Sequence, residues 1–247
     1  MTELLTGTAA GAKEYFIQAS YLAASVLFIL GLKGLSSPAK ARRGMFQAEL
    51  GMLLAVVGTL LHHEIVSYLW ILVGLALGGV IGALMAIFMP MTAMPQRIAI
   101  SHMFGAVAAT LVGISEYSRH GAATGTAQMA ALGFEVMFGS LTITGSFMAF
   151  GKLQELVPGR PITYRFQNFT NITLFFVTLA LFLLLVYDPS QTAAFYVMIV
   201  LGLAIGVLMV LPIGGADMPV VVSLLNSYAG LASAATGFAI SNNVLII

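Results

Sequence analysis

Cysteine is absent from the 247 residues, so disulfides, thiolate metal sites and cysteine nucleophiles are all excluded. Charge is nearly as scarce. Only 8% of the residues are Asp, Glu, Lys or Arg, against roughly 25% in an ordinary soluble domain. The net charge of +1 gives no basic footprint for a nucleic acid. No polar low-complexity stretch occurs, which excludes a disordered or collagenous chain. There is no Walker A sequence and no GxGxxG following a strand, so this stretch is expected to bind no nucleotide itself. What is abundant is apolar surface: 60% of the residues are hydrophobic and the mean hydropathy is +1.00. A soluble globule of this length needs far more polar surface, so the chain reads as an integral membrane protein. At about 20 residues per span, eight helices take up about 160 residues and leave no room for a soluble catalytic domain.

Charge-free runs bounded by Pro, Gly or charged residues fall at about 15–35, 44–61, 68–89, 95–115, 128–150, 168–187, 192–212 and 218–240. Their length excludes barrel strands, which are alternating segments of about ten residues. The fold expected is therefore an all-α, polytopic transmembrane bundle of eight spans forming a single domain over 1–247. The first run lacks a small-residue cleavage site and reads as a retained span, not a signal peptide. Lys33, Lys40, Arg42, Arg43, Arg97, Lys152, Arg160 and Arg165 follow odd-numbered spans, while only Lys13 and Arg119 lie on the other side. That asymmetry puts the odd-numbered loops in the cytoplasm and the N-terminus outside. The sequence stops partway into a further apolar run, Val244-Leu245-Ile246-Ile247, and is expected to be a domain of a longer polypeptide whose ninth span returns to the cytoplasm.

An offset of 124 residues aligns the run from Leu77 to Met85 with that from Leu201 to Met209, with six of nine positions identical. Without a gap it then aligns Met94-Pro95 with Met218-Pro219 and Gly113 with Gly237. Units at about 68–115 and 192–239 therefore read as a repeat. Four crossings separate spans four and eight, so the repeat is parallel, not inverted. It pairs His102 with Asn226, each seven residues beyond its proline, or about 10 Å into the bilayer from the cytoplasmic helix start. From His102 the same face carries Gly105, Ala106, Ala109 and Gly113, and from Asn226 it carries Ala229, Gly230, Ser233 and Gly237. Small residues allow close helix approach, so these faces are expected to look at protein. Gly74, Gly78 and Gly82 in span three, and Gly202 and Gly206 in span seven, allow the same.

His102 is the one histidine inside a span, and histidine is the side chain whose ordinary pKa lets it take up and release protons near neutrality. The alternative is a hydrogen bond that only glues helices. Asn226 cannot titrate and could only orient water or a partner. Glu135 lies about seven residues into span five from the outer side, on a face that continues through Gly139, Thr142 and Ser146. A carboxylate there must be protonated, paired or wetted. Glu135 and His102 could be successive proton stations, or Glu135 a locally paired acid. Asp217, just before span eight, could be a helix N-cap or a contact at the cytoplasmic entrance. His62-His63-Glu64 hints at metal, but adjacent histidines do not share a helix face, and no metal site is expected. The sequons at Asn168 and Asn171 fall at the cytoplasmic start of a span, where no acceptor is usable.

Two stretches carry a resemblance. The run Gly139-Ser140-Leu141-Thr142-Ile143-Thr144-Gly145-Ser146-Phe147-Met148-Ala149-Phe150-Gly151-Lys152-Leu153 and the run from Gly214-Gly215-Ala216-Asp217-Met218-Pro219 through Asn226-Ser227-Tyr228-Ala229-Gly230 to Ser241-Asn242-Asn243 closely resemble the membrane domain of the beta subunit of proton-translocating nicotinamide nucleotide transhydrogenase. The resemblance implies inward proton movement through this domain, coupled to hydride transfer between NADH and NADP+ in soluble domains. It implies that His102 carries the proton, that Asn226 is its polar companion, and that Asp217 lies where the NADP-binding domain meets the membrane. Glu135 matches an acid of the family pattern. NAD(H) and NADP(H) are then cofactors of the complete complex and not of this chain. The implied partners are an alpha subunit with the NAD-binding domain and further membrane helices, the NADP-binding domain of the beta subunit, and a second copy of the whole complex in a bacterial inner membrane. Two features depart from the pattern: the family has a ninth span and an NADP-binding domain that this sequence lacks, and Gln96-Arg97 stands where an acid and an apolar residue are expected. A proton-coupled transporter of a small solute and a purely structural subunit are the rival readings.

Overall fold

The computed structural model describes residues 2–61 and 67–246, with side chains from Lys13 onward except Val244. His62, His63 and Glu64 lie outside the described residues. Among those described there is no strand. The helices are α1 (Thr2–Leu35), α2 (Ala41–Leu60), α3 (Tyr68–Phe88), α4 (Met94–His120), α5 (Thr126–Leu153), α6 (Gln167–Tyr187), α7 (Thr192–Val210), α8 (Met218–Ala239) and the short α9 (Asn243–Ile246). Each of the eight expected spans is thus helical. Seven of these helices, all but α2 and α9, are long and apolar enough to cross a membrane, and the chain is a multi-pass membrane protein. Arg42, Arg43 and Glu49 set α2 apart from the other long helices.

The chain divides into two compact units, one reaching to Ile81 and the other running from Gly82 to Ile246. In the first, α1 and α2 form an antiparallel hairpin. Gly44, Gly51 and Gly58, seven residues apart on α2, bring the two backbones together: Gly44 lies on Gly31 and Gly34, Gly51 on Ala24 and Leu27, and Gly58 on Ser20 and Tyr21. A two-turn spacing keeps one face toward the partner, so three missing side chains make a continuous groove for α1. The Tyr21 hydroxyl and Thr59 Oγ1, 3.1 Å apart, close the far end of the hairpin.

In the second unit α5 is the hub, packed on α4, α6, α7 and α8. Its glycines, serines and threonines give it a slim and polar interior, with Glu135, Ser140, Thr142 and Ser146 all buried, and polar groups in a bilayer are stable only when turned toward protein. The contacts of Gly113 with Glu135 and Val136, of Gly139 with Ala106 and Thr110, and of Gln96 with Leu153 set α4 antiparallel to α5. Leu225 against Gly145 and Thr236 beside Glu135 do the same for α8, so α4 and α8 run in the same direction. Gly202 and Gly206 of α7 sit against Ser140, Leu141 and Thr144 of α5, as the small-residue spacing anticipates. Nothing lies within 4 Å of the Cβ positions of Gly74, Gly78 and Gly82 in α3, and no residue of α3 is buried. The same spacing therefore has no described neighbour there.

Starts of elements recur at the 124-residue offset: α3 with α7, a short 3-10 turn at Met91–Ala93 with one at Gly215–Asp217, and α4 with α8. Pro90 (φ −67°, ψ 158°) and Gly214 (φ −72°, ψ 158°) lead into the two turns with the same backbone. Pro95 and Pro219 then occupy the first turns of α4 and α8, where the missing N–H costs nothing.

Candidate functional site

The buried stripe of α4 is Ala99, Ala106, Thr110, Gly113 and Tyr117, and it faces α5. Buried side-chain oxygens and nitrogens normally find partners, and each one that does not calls for an explanation such as hydration or a functional role. Among the described residues the buried polar atoms without a hydrogen-bond partner are Gln96 Oε1, Arg97 Nε, His102 Nδ1, both Glu135 carboxylate oxygens and Ser146 Oγ. Every one belongs to α4 or α5. Glu135 and Ser146 lie on the face of α5 turned to α4, with His102 at the edge of the α4 stripe, and these make a seam along the two helices; Arg97 is on the opposite side of α4.

Glu135 is fully buried. Its carboxylate lies against Gly113 and beside Thr236 without completing a hydrogen bond to either, and the Thr236 hydroxyl is committed to Ala232 O at 3.0 Å. Gly113 makes this placement possible, since a Cβ there would come within 3.1 Å of Glu135 Cδ and 2.5 Å of Val136 Cγ2. Beyond it, toward the α4–α5 connection, Glu116 Oε1 pairs with His120 Nδ1 at 3.0 Å and receives Gln128 Nε2 at 3.4 Å. Gln128 also donates to Ala239 O at 3.0 Å, joining α4, α5 and α8 at this end.

His102 is half-buried at the shoulder of the α4 stripe. The antiparallel register places Ser146 at its level. From His102 to Gly113, the level of Glu135, is eleven residues, about 16 Å along the helix. Thr110 stands between them: it is buried, donates to Ala106 O at 2.8 Å, and its hydroxyl presses on Gly139 where a Cβ would sit. The seam is therefore tightly closed between its two titratable members.

Asn226 is exposed, outside the buried stripe of α8, and Gly105 and Gly230 have no neighbour at their Cβ positions. The faces carrying His102 and Asn226 were expected to look inward, but only their Ala106, Gly113 and Gly237 positions are buried. The reason is the hub: packing on α5 selects the stripe of α4 centred on Ala106 and Thr110, and the stripe of α8 centred on Leu225 and Ala232. His102 and Asn226 lie within about one turn of each other in depth, yet no hydrogen bond joins them among the described residues. Asp217 stands at the N-cap position of α8 but makes no side-chain cap bond, and it is exposed.

Sequence reasoning passed over Lys152. Only 2% exposed, it crosses from the last turn of α5 to the end of α7, and its ammonium donates to Leu211 O at 2.5 Å and Ile213 O at 2.7 Å. Carbonyls at a helix C-terminus carry partial negative charge and lack intrahelical donors, so a cation is the fitting partner. The residues so held lead directly into the turn that ends at Asp217. Gly215 N donates to Gly159 O at 2.7 Å and Ile162 N to Leu211 O at 3.1 Å, tying the α5–α6 connection to the same turn. A lysine one residue from the end of a span rich in Gly, Ser and Thr, with no acid among the residues just before it, was the available signal.

The profile of the NAD(P) transhydrogenase beta subunit family matches residues 17–247. Two sequences from Rhodospirillum rubrum, each named NAD(P) transhydrogenase subunit beta, are 41% identical to this chain over 236 residues. The match covers 93% of this chain and 51% of each relative, so the chain spans about half the length of the curated relatives it matches. The likeness thus extends over the α4–α5 seam, Lys152 and Asp217, and the chain belongs to the NAD(P) transhydrogenase beta subunit family.

Proposed function

We propose that this chain is the proton-conducting membrane domain of a transhydrogenase, coupling inward proton movement to hydride transfer between NADH and NADP+ held in soluble domains. The observation that carries the reading is that, among the described residues, every buried polar side-chain atom without a partner belongs to α4 or α5, with Glu135, Ser146 and His102 along the seam between them. Glu135 serves the end at the α4–α5 connection and His102 the half nearer the basic end, with Ser146 beside it. Asn226, one turn away in depth, orients a group on the exposed side of His102. The basic end, with Lys152, Arg160 and Arg165, faces the cytoplasm of a bacterial inner membrane, and Asp217 meets the NADP-binding domain there. An alpha subunit supplies the NAD-binding domain and further helices, and the complex is a dimer of such pairs. The two units at 68–115 and 192–239 descend from a duplicated α-helical pair, supported by the recurrence of element starts at one offset.

The driving force is the membrane potential and pH difference; one charge crossing 100 mV is worth about 2.3 kcal/mol. One cavity between α5, α6 and α7, lined by Met137, Leu141, Phe175 and Gly202, has a volume of about 10 Å³, room for roughly one water and not for a solute. The test uses the complete complex in liposomes, recording hydride transfer and lumen acidification together for the parent and for His102→Ala. Loss of both, with the soluble domains still exchanging hydride when uncoupled from protons, is expected. Full coupling in the variant would remove His102 from the path.

A further inference from the structure

We propose that the turn between α1 and α2 binds the phosphate-bearing headgroup of an anionic phospholipid. A cleft of about 460 Å³ opens there, lined by Lys33, Ser36, Ser37, Lys40, Arg43 and Gln47, with no carboxylate in its wall. No described residue forms an ion pair with any of the three cations. The cleft exists because of a pinch: Gly44 is buried against Gly31 and Gly34, backbone on backbone, so the longer side chains around it splay outward and enclose a hollow. The turn is held by Ser37 N to Gly34 O at 3.3 Å, Lys40 N to Ser37 O at 3.0 Å and Gly44 N to Lys40 O at 2.9 Å, which fixes the backbone positions from which the basic side chains extend. Lys40 occupies the N-cap of α2 without a side-chain cap bond. The first N–H groups of that helix therefore lack a side-chain acceptor and add positive potential to the same hollow.

Three cations, the Ser37 hydroxyl and a helix start in one concavity select a multivalent oxyanion, and phosphate is the group that matches; the Ser36 hydroxyl is committed to Lys33 O at 2.8 Å. The surroundings select its source. Leu30, Leu35, Met45 and Phe46 are 41%, 45%, 55% and 64% exposed beside the turn, an apolar flank that suits acyl chains and that a free anion would leave unused. Basic pockets between membrane helices at headgroup level are suited to anionic lipid. Setting membrane orientation needs only the number of basic residues in the loop; it does not require their convergence on one cleft.

The test is native mass spectrometry of the full-length subunit in its complex, delipidated in a non-ionic detergent and then supplied with phosphatidylglycerol or phosphatidylcholine. Phosphatidylglycerol is expected to be retained at least about tenfold better. The triple variant Lys33→Gln, Lys40→Gln, Arg43→Gln should lose that preference, while Arg160→Gln with Arg165→Gln should keep it. A charge-preserving variant, Lys33→Arg with Lys40→Arg, should also keep it, which separates loss of charge from loss of fold. If the triple variant does not assemble, the same comparison is read on Arg43→Gln alone. Equal retention of the two lipids, or unchanged preference in the neutralised variant, overturns the proposal. So does displacement of phosphatidylglycerol by equimolar inorganic phosphate, which would make the site one for a free anion. Loss of a protein partner from the neutralised variant with lipid retention intact would assign the cleft to an acidic protein surface instead, and likewise overturns it.

Discussion

Replacing Lys152 by methionine separates two roles that a buried cation can have. The substitution removes two charge-assisted hydrogen bonds, to Leu211 O and Ile213 O, each worth at least about 4–6 kcal/mol before desolvation is counted. Leu211 O keeps its bond from Ile162 N, so a single carbonyl, that of Ile213, is left without its donor, at a cost of about 1–3 kcal/mol. Against this, an ammonium that is 2% exposed no longer has to be taken out of water, a penalty of several kcal/mol, on the order of that of the bonds lost. Methionine fills the same unbranched volume and creates no cavity. The global terms therefore nearly cancel, and thermal unfolding should shift little.

The local terms do not cancel. Without the ammonium, the end of α7 and the turn 211–217 are tied to the α5–α6 connection by the bonds of Ile162 N and Gly215 N, besides the turn's own bonds from Ile213 N to Val210 O and Asp217 N to Gly214 O. Local opening of this turn should become easier by roughly 1.5–3 kcal/mol, which is an increase of about ten- to a hundredfold in amide exchange at Ile213, Gly215 and Asp217. Hydrogen exchange read by mass spectrometry resolves the segment from the rest of α7. In the complete complex, proton-linked hydride transfer should fall more than hydride exchange between uncoupled soluble domains, because the loosened turn leads to Asp217. Unchanged exchange over 211–217 would refute the reasoning. A collapse of global stability by more than about 4 kcal/mol with uniform loss of protection would refute it too, since that is the mark of an uncompensated buried partner and not of a local clamp.

Gly206→Ala drives a methyl into Leu141 O and Thr144 Oγ1 and should cost about 1–3 kcal/mol. Gly82→Ala, 124 residues earlier with nothing within 4 Å, should be nearly neutral; thermal unfolding of both variants checks the contrast. Tyr117→Phe removes the 2.8 Å bond to Pro189 O but keeps the ring stacked on Phe195 at 3.9 Å; the loss should be about 1 kcal/mol, against about 3–5 kcal/mol for Tyr117→Ala. Asp188, outside the spans, accepts bonds from the Ser190 hydroxyl, the Gln191 amide and Ser190 N, which hold its carboxyl below the usual carboxylate range. Its contribution is complete above the ordinary aspartate pKa and is lost as pH falls through the lowered folded value, so the difference in Tm between the parent and Asp188→Asn should be constant near neutrality and vanish only in strong acid.

Positions of helices were legible because a bilayer demands unbroken apolar runs of one length, and proline, glycine and charge mark where each run stops. The identity of the hub was harder to read. In water the most apolar helix is buried; in lipid the rule inverts, so that α3, the run from Tyr68 to Phe88, has no buried residue while α5, with its Glu135, Ser140, Thr142 and Ser146, is the most buried. His102, Glu135 and Asp217 could be picked out because each breaks an apolar or turn pattern. Their facing directions could not, since the 60° or so separating His102 from the centre of the α4 stripe depends on how α4 rolls against α5. Glu155 and Phe166, at φ 59° and 65°, hold left-handed turns that glycine usually takes, and nothing local in the sequence marks them.

The geometry also bears on how a path along this seam would be gated. The levels of Glu135 and His102 are about 16 Å apart along the helix, five or six hydrogen-bond steps at roughly 2.8 Å each, and the Thr110 hydroxyl that stands between them is turned back on Ala106 O and packed against Gly139. A threonine with its hydroxyl donated to its own helix relays nothing. Opening requires either rotation of that side chain, which is restricted by its branched β-carbon, or a small displacement of α4 from α5 at a point where two glycines, Gly113 and Gly139, make the packing tightest. Because close-packed interfaces have discrete arrangements and not a continuum, such a displacement would be a second state of the bundle. The titratable groups at its two ends would then communicate only in that state. On the proposed reading, in which the NADP-binding domain meets the chain at Asp217, Lys152 would link that state to docking by clamping the far end of α5 to the turn that leads there.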